Sequence, residues 1–125
     1  MIGAGGPKML RLAAMHADIW SWYVNEQSDM EEFGPRLEAL EAMCVEVGRD
    51  PATIGRSAGI LVEPTAVTGA AEALAVPLRG SAEEIADGIR TFRDGGFTQV
   101  EILLWPRTLE ALEATVPVLE LLDAD

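Results

Sequence analysis

The sequence predicts an α/β protein of about four short strands alternating with helices, forming a parallel sheet within one domain over residues 1–125. Three observations carry this. Short apolar runs of strand length are separated by segments with helical spacing. Helix-start signals recur at intervals along the chain. The last two strand starts lie about 40 residues apart, the scale of a βα unit with a generous loop. Four such units are too few to close an ordinary eight-stranded barrel. An open four-stranded doubly wound sheet is the other arrangement this pattern allows.

Met1 to Ala4 reads as the end of a strand. Gly3, Gly5 and Gly6 then lead into Pro7, whose preset φ and missing amide suit a first helical turn. Leu10, Ala13, Ala14 and Ala17 share one face of the helix from Pro7 to Ala17. Asp18 to Tyr23 is a second short strand. Ser28 and Glu31 have the form of a capping box. The helix after it places Phe33, Leu37, Leu40, Cys44 and Val47 on one face, and Gly48 stops it. Pro35 is expected in the first turn or in a short leading turn.

Arg49, Asp50 and Pro51 make a turn before a buried strand from Arg56 to Val62. Glu63 to Arg79 reads as a long loop, above the usual length and so a place to look for function. Ser81 and Glu84 form a second capping box, opening a helix with Ile85, Ile89 and Phe92 inward. Gly95 and Gly96 end it. Gln99 to Trp105 is a strand closed by Pro106. Thr108 caps a last helix carrying Leu109, Leu112, Val116, Leu119 and Leu122, with Pro117 expected to kink or restart it.

The chain has 125 residues, 49% of them hydrophobic, which is enough for a real core. A net charge of −12 argues against nucleic acid or anionic membrane as a partner, since both require clustered Lys and Arg. The single cysteine, Cys44, excludes an internal disulfide and fits a reducing compartment. No apolar run is long enough to span a bilayer, and the N-terminal residues lack a signal peptide's apolar core. A cytoplasmic protein is expected.

The first functional candidate is the glycine turn. Glycines let backbone approach a ligand closely, and the free amides of a helix's first turn attract a phosphate. A plain tight turn explains Gly5 and Gly6 equally well. No zinc spacing, Ser-His-Asp arrangement or Walker sequence is present. His16, the one histidine, lies on the first helix, where a surface or packing role accounts for it. Cys44 sits in an apolar stripe as an inert thiol. Trp20, Trp22 and Trp105 fit core packing or a flat-ring pocket at the strand ends. Glu31, Glu32, Glu83 and Glu84 belong to helix starts.

Four stretches, in order, resemble the luciferase-like monooxygenases. They are Ile2 to Trp20, the segment from Glu46 to Ile54, the helix start from Gly80 to Arg90, and Gly95 to Ile102. The resemblance covers nearly the whole chain. It implies strands five to eight of a TIM barrel, hence a (βα)4 half-barrel. It also implies an oxidoreductase or monooxygenase using flavin mononucleotide (FMN) or the deazaflavin coenzyme F420. By the same resemblance, Ala4, Gly5 and Gly6 would hold the cofactor phosphate, Lys8 would add charge, and Ser21 and Tyr23 would reach the phosphate or ribityl chain. Ile19 follows Asp18 where the family commonly has glycine, which alters the backbone near the cofactor. Catalytic residues are expected in the half of the barrel that this chain does not match. The alternative is a non-catalytic half-barrel acting as a structural or assembly module.

A half-barrel leaves two sheet edges open and, on this reading, one apolar sheet face uncovered. The expected partner is a second copy in a twofold homodimer, with a separate N-terminal half-barrel or a helix swap as rival closures.

Overall fold

The computed structural model describes residues 1–65 and 75–125, so much of the long loop foreseen between Glu63 and Arg79 lies outside the described residues. The elements are β1 (Ile2–Gly3), α1 (Pro7–His16), β2 (Ile19–Tyr23), α2 (Met30–Val47), a 3-10 turn (Pro51–Thr53), β3 (Gly55–Glu63), β4 (Leu78–Arg79), α3 (Ala82–Asp94), β5 (Gln99–Leu104) and α4 (Leu109–Asp123). Every strand pairing is parallel. β3 is central, with β2 and then β1 on one side and β5 on the other. β4 is a short extra strand absent from the sequence reading. It pairs Leu78 and Arg79 with Val62 and Glu63, continuing the β2 side of β3 beyond Tyr23.

The core lies between this sheet and its helices. Phe33, Phe92 and Phe97 meet edge-on with ring centroids 5.1–5.8 Å apart, and Trp20 packs beside Phe97. Leu10, Ala13 and Ala14 of α1, Leu37, Leu40 and Cys44 of α2, and Ile85, Ala86 and Ile89 of α3 complete it. The stripes read from helical spacing in α1, α2 and α3 therefore face inward. Arg49 ties α1 down from below, donating to the carbonyls of Ala14 and Ala17 where the helix dipole favours a cation.

Most helix boundaries follow their signals. Ser81 and Glu84 cap α3 reciprocally, Thr108 caps α4, and Gly48 takes a φ of 79° at the end of α2. Three details differ. The cap of α2 is Asp29, which accepts from the amide of Glu32, so the Ser28–Glu31 box does not form. Ser28 is buried and its Oγ accepts the amide of Leu61 instead. Because α2 begins at Met30, Pro35 lies in its second turn, and the helix runs on unbroken. Pro117 likewise sits inside a continuous α4.

α4 carries its small residues, Ala111, Thr115 and Val118, against the core. Leu109, Leu112, Val116 and Leu119 are 45–69% exposed. The apolar stripe of α4 faces outward.

Candidate functional site

Side chains alternate along a strand, so the sheet has two chemically different faces. Trp20, Ala58, Ile60, Val62, Val100 and Ile102 face the helices and join the core. The opposite face is mixed: it carries Ile19, Ser21 and Tyr23 from β2, Ser57, Gly59, Leu61 and Glu63 from β3, and Glu101 and Leu103 from β5. The face expected to be apolar is therefore polar in part. Ser21, Ser57 and Glu63 are buried there beneath their neighbours, and Glu63 is 3.2 Å from Arg79.

Glu101 organises this face. Tyr23 donates its hydroxyl to Glu101 Oε2 at 2.6 Å, and Ser57 donates to Oε1 at 2.8 Å. These bonds stabilise the carboxylate and hold Glu101 below its ordinary pKa, the Tyr23 bond contributing most. The same bond, helped by desolvation, raises the Tyr23 pKa above its ordinary value. Gly59 makes the reach possible. A Cβ there would stand 2.1 Å from the Tyr23 ring, which crosses β3 to meet β5. Sequence reading missed Ser57 and Glu101. Their only signal is a single polar residue within a largely apolar strand.

At the C-terminal ends of β1 and β2 lies a cleft of ≈ 330 Å³ lined by Gly3, Ala4, Gly5, Ser21, Trp22 and Tyr23, with Asn25 at its margin. Four of the six residues expected at a cofactor thus share one cleft: Ala4, Gly5, Ser21 and Tyr23. Gly6 and Lys8 lie just beyond its lining, at the start of α1. Ala4 is buried, and its carbonyl accepts the indole N–H of Trp20 at 3.0 Å. Gly5 is required by packing, since a Cβ would come 2.3 Å from the Trp22 ring. Arg36 covers that ring, its guanidinium 4.4 Å from the centroid.

Gly6 is different. It is the N-cap of α1 with φ −77° and ψ 156°, an ordinary extended geometry. Nothing lies within 4 Å of where its Cβ would be. Neither backbone strain nor crowding demands glycine there. No side chain caps α1, Pro7 occupies its first turn, and that turn holds no acidic residue. The other three α-helices among the described residues are capped by Asp29, Ser81 and Thr108. The next loop has an anion of its own: Glu32 accepts the amides of Asn25, Glu26 and Gln27.

His16 is exposed at the end of α1, remote from the cleft. Cys44 is buried, and desolvation raises its thiol pKa, in keeping with an inert role. Trp20 is core, whereas Trp22 borders the cleft. Among the described residues no helix is long and apolar enough to cross a membrane.

No family model matches this sequence, and no curated protein matches it. Among solved structures, the chain is similar to an F420-dependent secondary alcohol dehydrogenase in complex with an F420-acetone adduct. The TM-score is 0.57 at 16% identity, over 90% of this chain and 47% of the other. At that identity the likeness is one of fold. The chain spans about half the length of that enzyme, and its parallel βα order is consistent with a partial TIM barrel.

Proposed function

We propose that this chain is the cofactor-phosphate half of an F420- or flavin-dependent oxidoreductase of the luciferase-like type. One observation carries the reading. The uncapped first turn of α1, free of acidic residues, opens beside a cleft at the C-terminal ends of parallel strands. In barrels of this kind, ligands bind at that end of the strands. The fold likeness to an F420-dependent enzyme supports the same choice.

The amides of Lys8 and Met9 would hold the phosphate, aided by the helix dipole and the exposed Lys8 side chain. The open space at Gly6 leaves room for it. Gly5 would serve indirectly, by admitting the Trp22 ring that walls the cleft. Ser21 and Tyr23 would line the path of the adjoining chain, with the Tyr23 proton already committed to Glu101. When bound, such a cofactor supplies hydride transfer or oxygen activation, while the protein binds and orients it. FMN and F420 both present a phosphate, and the residues of this turn suit either.

Replacing Gly6 with Asp tests this. An aspartate N-cap places a carboxylate over the same amides, in space that is empty. It should raise thermal stability slightly, by a few tenths of a kcal/mol to about 1 kcal/mol. It should also weaken F420 or FMN binding, followed by cofactor fluorescence, at least tenfold. Binding unchanged in this variant would place the phosphate elsewhere. Absence of binding by the parent chain at high micromolar cofactor would favour the structural-module alternative.

A further inference from the structure

We infer that Asn25 is a ligand contact of the cleft at the ends of β1 and β2, and that Glu32 of α2 is the residue that positions it. The inference rests on the cofactor reading and extends it to the loop between β2 and α2. Asn25 stands at the margin of that cleft. It is exposed, and its carboxamide makes no hydrogen bond to the described residues. Its backbone, by contrast, is fixed. Glu32 reaches back from the first turn of α2 and accepts the amides of Asn25, Glu26 and Gln27, the last two at 2.9 and 2.6 Å. The amide of Val24 goes to the Gly59 carbonyl of β3, and that of Ser28 to the Val76 carbonyl. Val76 in turn donates to the Glu26 carbonyl. Every backbone amide from Val24 to Ser28 therefore has an acceptor.

Of the three residues whose amides Glu32 holds, Asn25 is the one at the cleft margin. A ligand contact needs its backbone held from behind in this way, so that the side chain arrives in one place. The loop also leaves a strand at its C-terminal end, where barrels of this kind carry their binding groups. α2 serves the same cleft a second time. One turn beyond Glu32, Arg36 lies over the Trp22 ring that borders it. Two successive turns of one helix thus fix two residues of the cleft, Asn25 and Trp22.

The chemistry of the contact follows from what the loop leaves over. Three convergent amides form a concavity suited to an anion, and the Glu32 carboxylate already fills it. A phosphate is therefore directed to the first turn of α1, and Asn25 meets another part of the ligand. Its carboxamide both donates and accepts, as does a hydroxyl, so the two pair in either sense. The group assigned to Asn25 is a hydroxyl of the ribityl chain that adjoins the phosphate.

The test is the affinity for FMN and for F420, by cofactor fluorescence, divided by the affinity for inorganic phosphate, by NMR at the Lys8 and Met9 amides. Asn25→Ala is expected to lower that ratio about fivefold, the loss of one hydrogen bond. Glu32→Gln puts an amide donor among the three loop amides and should lower the ratio as much, with helical circular dichroism unchanged. The two changes together should do no more than the larger alone, because Glu32 acts through Asn25. Glu31→Gln removes the same charge one residue away, from an exposed side chain, and should leave the ratio as it is. Cofactor bound by the unmodified chain with a ratio indifferent to Asn25→Ala would overturn this inference alone and leave the cofactor reading standing. Additive losses, or an equal loss in Glu31→Gln, would overturn the positioning role of Glu32. An unmodified chain that binds neither cofactor would overturn the cofactor reading, and this inference with it.

Discussion

The two faces of the sheet are built from the same strands, yet they follow opposite rules. On the helix side, Trp20, Phe33, Phe92 and Phe97 fill a close-packed aromatic core. On the other side, Tyr23, Ser57 and Glu101 form a hydrogen-bonded polar group over a glycine. The first face holds the fold by removing apolar surface from water. The second adds little to that and holds a polar group midway along β3 and β5, reached from the end of β2 by Tyr23. Stability and the candidate site are thus divided by strand parity, one residue apart.

Breaking the first face should have the largest effect. Phe92 is fully buried between two other phenylalanines, and Phe92→Ala should cost about 3–5 kcal/mol through lost burial and a cavity. Urea denaturation measures it. A much smaller loss would mean that the aromatic cluster is not the core.

On the second face the expected loss is smaller and of another kind. Gly59→Ala pushes the Tyr23 ring off β3 and breaks its bond to Glu101, at a cost of about 1 kcal/mol. The helix-side packing should survive, seen as an unchanged far-ultraviolet circular dichroism spectrum and an unchanged slope of urea unfolding.

The subtlest contrast is in pH. Tyr23 is the chain's one tyrosine, so its ultraviolet titration is unambiguous. It should ionise above the ordinary value of 10.0, and Glu101→Gln should bring it back. The sign follows from linkage. The raised Tyr23 pKa contributes stability that is fully present below 10.0 and lost as pH rises through the folded-state value. The lowered Glu101 pKa contributes stability present above 4.5 and lost as pH falls through its depressed value. An ordinary Tyr23 titration would mean that the pair does not form in solution.

What the sequence discloses follows the range of the interaction involved. Ser81 with Glu84, Thr108 with Ala111, and Gly48 are local devices, and each reads directly from neighbouring residues. At the start of α2 the local signal is ambiguous. Ser28 and Asp29 each stand three residues before a glutamate, and the choice is made by Leu61, which claims the Ser28 hydroxyl from 33 residues away. The Tyr23–Glu101 bond spans 78 residues, beyond any spacing rule. Periodicity revealed the apolar stripe of α4 without saying which way it turns. Three smaller residues, Ala111, Thr115 and Val118, take the inward side. The glycine turn was legible as a candidate. Its division of labour was not, for only the packing separates Gly5, needed by Trp22, from Gly6, which no neighbour requires.

The central claim is that the first turn of α1 is kept open for a phosphate. Two-dimensional ¹H–¹⁵N NMR during titration with FMN or F420 addresses it most directly. The account predicts saturable downfield shifts of the Lys8 and Met9 amides, absent in Gly6→Asp. Shifts confined to other residues, or none at saturating cofactor, would contradict it.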